Sequence, residues 1–399
     1  MGGFVRTSQG KDNNILYFGK GSWVMSNKKV RAISSGLRNY ISVFFCCLSL
    51  LFLFSCAVPA SKAVKLIYPA PPEEPRLVYL NSYKGESDFK KKSFLDRILG
   101  QDQPSAMLQK PYGVAAYGDK IYVTDTQQSV VFVFDLKERK VTFLGLGGEG
   151  KLVLPTGVAV ASDGTVFVSD SKQKRVFGYD ANGNLQLALG EKNEFKNPAG
   201  LAVNNELGRL YIVDSYGHSV HVYSTKGKPL FAFGSRGDKD GQFNFPSNAA
   251  VDGRTGNVFV VDTQNFRVQV FDKDGKFIRS FGKIGDAPGT FTRAKGIGID
   301  SEGHVYVADA AFDNLQIFDD KGQLLLVIGG AGHDPGYFWL PAGVTVDEKD
   351  RVYVVDSFNY RVQVFQYLSE QWKKENPEKY KEYLLYKKPT EAKAGKKGE

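Results

Sequence analysis

The sequence predicts an all-β protein: a six-bladed β-propeller of four-stranded antiparallel blades, closed by an N-terminal strand that pairs with the last blade, with a short C-terminal helical tail. Three observations carry this. An apolar strand ending in aspartate recurs six times, at Asp125, Asp170, Asp214, Asp262, Asp309 and Asp356. The gaps between these aspartates are 45, 44, 48, 47 and 47 residues, a period in the forties that marks a propeller. Between them lie several short strands and Gly-containing turns. One such repeat has two apolar faces and cannot bury both alone, whereas six in a ring cover each other.

The blade starting near Pro246 shows how each element is written. Strand A is Ala249-Ala250-Val251-Asp252, strand B runs from Val258 to Asp262, strand C is Arg267-Val268-Gln269-Val270-Phe271, and strand D is Phe277 to Gly282. Lys273-Asp274-Gly275-Lys276 separates C from D, and Asp-Gly is a strong hairpin turn because Gly accepts positive φ. Strand A is small-sided throughout, as in Gly157-Val158-Ala159-Val160 and Gly296-Ile297-Gly298-Ile299, which suits the crowded axis. The last repeat has strands at 342–347, 351–356 and 361–366 but no fourth strand after them. Arg76 to Tyr83, followed by Lys84-Gly85, has the missing pattern. Residues 76–83 are therefore expected to pair antiparallel with 361–366 and latch the ring, because an open ring would leave a strand edge to water.

Four segments follow: an N-terminal extension and signal peptide at 1–55, a Pro-rich tether at 56–75, the ring at 76–366, and a basic helical and disordered tail at 367–399. Lys28, Lys29, Arg31 and Arg38 precede an uncharged apolar run from Tyr40 to Phe54, a charged n-region and an h-region of export-signal length. Leu53-Phe54-Ser55-Cys56 followed by Ala57 resembles the bacterial lipobox, which implies a lipid on Cys56 and a Gram-negative outer-membrane address. With Cys46 and Cys47 in the signal, Cys56 is the one cysteine left. Five prolines between 57 and 75 favour an extended tether. In the tail, Pro377 divides two short helical stretches.

The net charge of +9 is made at the chain ends. Residues 1–55 hold 7 basic and 1 acidic residue, 367–399 hold 9 and 6, and the remainder, 56–366, holds 36 of each. A neutral ring argues against a nucleic-acid surface.

Asp262-Thr263-Gln264-Asn265-Phe266-Arg267-Val268-Gln269-Val270-Phe271 and Asp356-Ser357-Phe358-Asn359-Tyr360-Arg361-Val362-Gln363-Val364-Phe365 resemble the NHL repeat. Other copies depart from it, with Gly217 and Ser219 in the third and Gln128 and Val130 in the first. The resemblance implies the propeller fold. It leaves function open, because such rings serve as protein-binding platforms, RNA binders, sensor domains and, rarely, lyases.

The six aspartates, with Asn265, Arg267, Asn359 and Arg361, read as braces for the loops between strands B and C. Four histidines (His218, His221, His304, His333) are too few and too scattered for an expected zinc site, and no cofactor motif is present. His304 is expected to be solvated. The side chains expected to meet a partner lie in the B–C loops: Tyr216, His218, Phe266, Phe312, Phe358 and Tyr360. The expected function is a monomeric, lipid-anchored, non-catalytic envelope scaffold that binds a protein or small ligand on that face, with no cofactor, metal or nucleic acid. A metal-dependent hydrolase or lyase acting at the central channel is the alternative.

Overall fold

The computed structural model describes residues 65–89, 105–191 and 194–386. The expected export signal, Cys56 and the end of the tail lie outside the described residues. The chain divides into two units, 1–64 and 65–399, and only the second is described.

Six antiparallel sheets form the ring. In blade 1, strands A to D are Pro111–Tyr117, Lys120–Asp125, Val130–Asp135 and Lys140–Leu144. Blades 2 to 5 repeat this order over 155–189, 198–233, 246–281 and 294–329. Blade 6 has strands A to C at Pro341–Val346, Arg351–Asp356 and Arg361–Tyr367, and its fourth strand is Leu77–Tyr83. Leu77 lies opposite Tyr367 and Tyr83 opposite Val362. The latch closes the ring by joining the start of the chain to its last blade.

One expectation needs correction. Ile67–Tyr68, inside the span read as tether, pairs with the outer edge of the latch as a fifth strand. Ile67, Val78, Leu368 and Tyr383 form an apolar cluster with Trp372 and Tyr380 against it. Proline content suggested a free extended segment. The open edge of the latch and the apolar face of the tail offered that segment a partner instead. The tail forms α1 (Glu370–Glu375) and α2 (Pro377–Leu384), with the Ser369 side chain capping α1 and Pro377 at the start of α2.

Strand B is buried in every blade, save for a half-buried first residue in blades 1, 3 and 6, because neighbouring blades cover both faces. Six apolar clusters fill the six wedges. Between blades 6 and 1, for example, Tyr353, Val355 and Val364 meet Ile121, Val123 and Phe132. Strand D faces outward and alternates, as in Lys140–Leu144 and Pro229–Phe233.

Strand A explains its glycines. A Cβ on Gly157 would lie 2.2 Å from the Ala199 carbonyl oxygen of the next blade, and one on Gly296 would lie 2.0 Å from that of Ala342. The innermost strands touch backbone to backbone there, and at these two positions only glycine fits. They enclose a central cavity of about 500 Å³.

Candidate functional site

The B–C loops and the D–A loops between blades emerge on one side of the ring. The six strand-end aspartates build this loop face from beneath. All six are at most 1% exposed. In blade 1, Asp125 Oδ2 accepts the backbone N–H groups of Gln109 (2.6 Å) and Lys110 (3.0 Å) from the D–A loop. Its Oδ1 accepts those of Gln127 and Gln128 in the B–C turn, both at 3.0 Å. Asp170 repeats the pattern with Val153, Leu154, Lys172 and Gln173. Each carboxylate thus ties two loops together through charge-assisted bonds, whereas the sequence reading had assigned it to the B–C turn alone.

Side chains complete the brace in two ways. In blade 4, Asn265 Nδ2 (2.8 Å), Arg267 Nε (3.0 Å) and Gln269 Nε2 (3.1 Å) donate to Asp262 Oδ2. In blade 6, Asn359, Arg361 and Gln363 serve Asp356 in the same way. Burial pushes the Asp262 and Asp356 carboxyls up, against the loop amides, asparagines and arginines that bind their charged forms. In blades 1 and 2, Gln128 and Gln173 occupy the asparagine slot and bond both the aspartate and a D–A carbonyl, of Met107 or Lys151. The motif that looked degraded there keeps its contacts with a longer amide. Blades 3 and 5 carry Gly217 and Phe312 in that slot and have no such bond.

The residue four places after each aspartate is left-handed: Ser129, Lys174, His218, Phe266, Asp313 and Tyr360, with φ between 51° and 59°. The brace holds these non-glycine residues in a conformation that costs about 1 kcal/mol or more each. It also re-aims their side chains. Tyr216, Phe358 and Tyr360 are exposed, at 58%, 44% and 49%. Phe266 is half-buried against the core between blades 4 and 5, and Phe312 is half-buried as well. His218, expected on the surface, is 7% exposed, with Nδ1 3.2 Å from the Phe243 carbonyl oxygen and 3.3 Å from the Phe245 amide nitrogen. The D–A loop covers its imidazole, with the Phe245 ring 4.7 Å away.

The D–A loops supply more of the face than the sequence reading allowed. In the last three, Phe243, Phe291 and Phe338 are fully buried beneath the glycine nine residues earlier, whose φ is 90° or 91°. The recurring Gly-x8-Phe spacing was the signal for these plugs. They free the following residues to project outward, including Phe245 (38%) and Trp339 (43%). Of the nineteen exposed large apolar side chains among the described residues, eleven sit in D–A or B–C loops, and two, Tyr117 and Leu207, on the opposite face.

Over blades 3 to 5 these loops surround a depression of about 440 Å³, lined by Tyr112, Tyr216, Phe245, Thr263, Arg293 and Lys295 among others. Tyr216 and Phe245 meet edge-to-face at 5.6 Å. Lys295 Nζ lies 5.1 Å from the centre of the Tyr112 ring. Over blade 6, Trp339 contacts His333 and Phe358 at 5.0 and 5.7 Å.

The opposite face is made of short turns closed by their own carboxylates. Asp180, Asp272 and Asp319 each accept two or more turn amides. His304, expected to be solvated, is partly buried here, with Nδ1 3.0 Å from Asp300 Oδ2. Among the described residues no group of three or more His, Cys, Asp or Glu side chains is placed to hold a metal ion. No described helix is long and apolar enough to cross a membrane.

Comparison with known proteins agrees with this architecture. The NHL repeat family matches residues 195–223 and 338–365, and a family described as a 6-bladed beta-propeller matches 245–311. No curated protein sequence matches the chain. Among solved structures, a Bacteroides thetaiotaomicron protein of unknown function aligns with TM-score 0.53 at 16% identity, covering 72% of this chain and 75% of its own. An auxiliary nutrient binding protein from the same organism aligns at 0.52 and 13% identity, covering 67% and 71%. A gluconolactonase from Xanthomonas campestris aligns at 0.51 and 16% identity, covering 77% and 99%. At these identities the likeness is one of fold.

Proposed function

We propose that this six-bladed NHL-repeat propeller is a non-catalytic binding module of a bacterial cell envelope, held to a membrane by lipid on Cys56 and engaging its partner through the loop face. The observation that carries this reading is the concentration of exposed aromatic and aliphatic side chains in the D–A and B–C loops. Exposed apolar patches and aromatic anchors mark partner surfaces on otherwise polar proteins. The braces beneath fix the loops, so the anchors are displayed on a rigid base with little ordering cost on binding. The nutrient-binding neighbour is compatible with such a role for the fold.

The test is a crosslinked pull-down with the intact lipoprotein, set beside a Tyr216→Ala/Tyr360→Ala variant. The variant is expected to lose specific partners that the parent and a Tyr117→Ala control retain. Identical partner lists for all three would remove the proposed face.

A further inference from the structure

We propose that the depression over blades 3 to 5 binds a ring-bearing organic acid, its carboxylate held by Lys295 and Arg293 and its ring by Tyr216 and Phe245. This deepens the proposed function and rests on it.

The first argument is an unanswered charge. Lys295 Nζ has a π-face contact with Tyr112, but no hydrogen bond or ion pair to any described residue. Its charged neighbours are Arg293 and Lys110, both cations. Burial, first, and then these two like charges hold the ammonium below the ordinary lysine range. The carboxylate that ends strand B of the same blade gives no relief, because Asp309 is buried and already accepts the Thr292, Arg293 and Ala311 amides. Three cations gathered without a counter-charge are unfavourable in the free protein, and an anionic ligand reverses that.

The second argument is the kind of anion. Phosphate sites are commonly built from clustered free backbone N–H groups. Here the Thr292 and Arg293 amides are committed to Asp309 and that of Lys110 to Asp125. Two side-chain cations without a nest suit a single carboxylate. The third argument is shape. About 440 Å³ falls in the range of small-molecule sites. The Phe245 backbone is fixed at φ 49° and donates its N–H to His218 Nδ1, and its ring meets that of Tyr216, so the aromatic wall is preformed. The exposed Gln264 amide on the same rim is free of side-chain bonds among the described residues and can address a ligand hydroxyl.

Isothermal titration of the intact chain with benzoate and glucuronate, against benzyl alcohol, glucose and inorganic phosphate, tests this. At least one ring acid is expected to bind tenfold or more tightly than its neutral counterpart and than phosphate. Lys295→Met is expected to weaken that binding at least tenfold without lowering the melting temperature. Equal binding of acids and neutral counterparts, phosphate binding as tightly as the acids, or a Lys295→Met variant that binds unchanged or melts lower would each overturn the proposal. Partner capture by a Phe358→Ala/Tyr360→Ala variant, altered over blade 6 and away from the depression, reads the wider face separately. Lost capture there together with failed acid binding removes the acid site and leaves the face.

Discussion

The two sides of the ring are built from the same six repeats, yet they differ in what they leave unsatisfied. On the turn side, short A–B and C–D connections satisfy their polar groups locally, as where Asp272 takes the Asp274 and Lys276 amides. On the loop side, the longer connections are tied down by buried aspartates and then display Tyr216, Phe245, Trp339 and Tyr360 to solvent. A face that secures its backbone and exposes its aromatics suits the recognition proposed for it. A face that spends its carboxylates on its own turns is arranged for stability.

The contrast needs a closed ring, so the largest effect is expected at the latch. Deleting Leu77–Tyr83 removes a fully buried Leu and a nearly buried Val, at about 1.5–3 kcal/mol each, and several strand hydrogen bonds at about 1 kcal/mol each. Stability should fall by at least about 5 kcal/mol, with aggregation from the exposed edge. An unchanged melting temperature would refute closure.

Next comes the brace. Arg361→Met removes the bond to Asp356 Oδ2 (2.7 Å) and those to the Asp334 and Tyr337 carbonyls. It leaves a buried carboxylate without its cation, a loss of about 3–5 kcal/mol in denaturant unfolding. On the same face, Tyr216→Ala should shift stability by no more than about 0.5 kcal/mol and weaken partner binding roughly tenfold. The reverse pattern would mean that the aromatics are structural and the contrast between the faces is misdrawn.

The smallest effects are pH-dependent and oppose each other across the ring. On the turn side, burial works against the charged His304, but the bond and charge of Asp300 outweigh it, with Glu302 adding to and Arg76 opposing the rise. Its stabilisation is therefore complete below the unfolded value of 6.5 and fades as pH rises through the higher folded value. His304→Gln should cost more at pH 6 than at pH 8. On the loop side, His221 fills the slot that Gln269 holds in blade 4. Burial lowers its pKa more than Asp214 and Glu194 raise it, so protonation below 6.5 weakens the folded state. His221→Gln should raise stability at pH 5.5 and change it little at pH 8. Melting curves of both variants across pH 5–8 check the pair.

The sequence carried most of the architecture. Aspartate spacing gave the number of blades, and the missing strand after Tyr367 located the latch, because edge pairing and wedge filling repeat with a fixed period. The site was less legible. Tyr216, Phe358 and Tyr360 reach solvent, but His218 is buried and Phe266 half-buried. His218, Phe266 and Tyr360 share one left-handed loop position, and their different burial follows from the neighbours each meets, as where Phe243 and Phe245 of the D–A loop lie against His218. Phe245 and Trp339 escaped notice because they lie in D–A loops, where the pattern read for was that of the strands.

By itself the sequence determined the ring, since apolar periodicity and the small residues of strand A admit few other ways to bury six similar sheets. Only the tertiary structure decided which aromatics are displayed and that Lys295 of blade 5 comes to face Tyr112 of blade 1. Closure of the ring sets that meeting. It joins residues 183 positions apart, and no local pattern encodes contacts at such a separation.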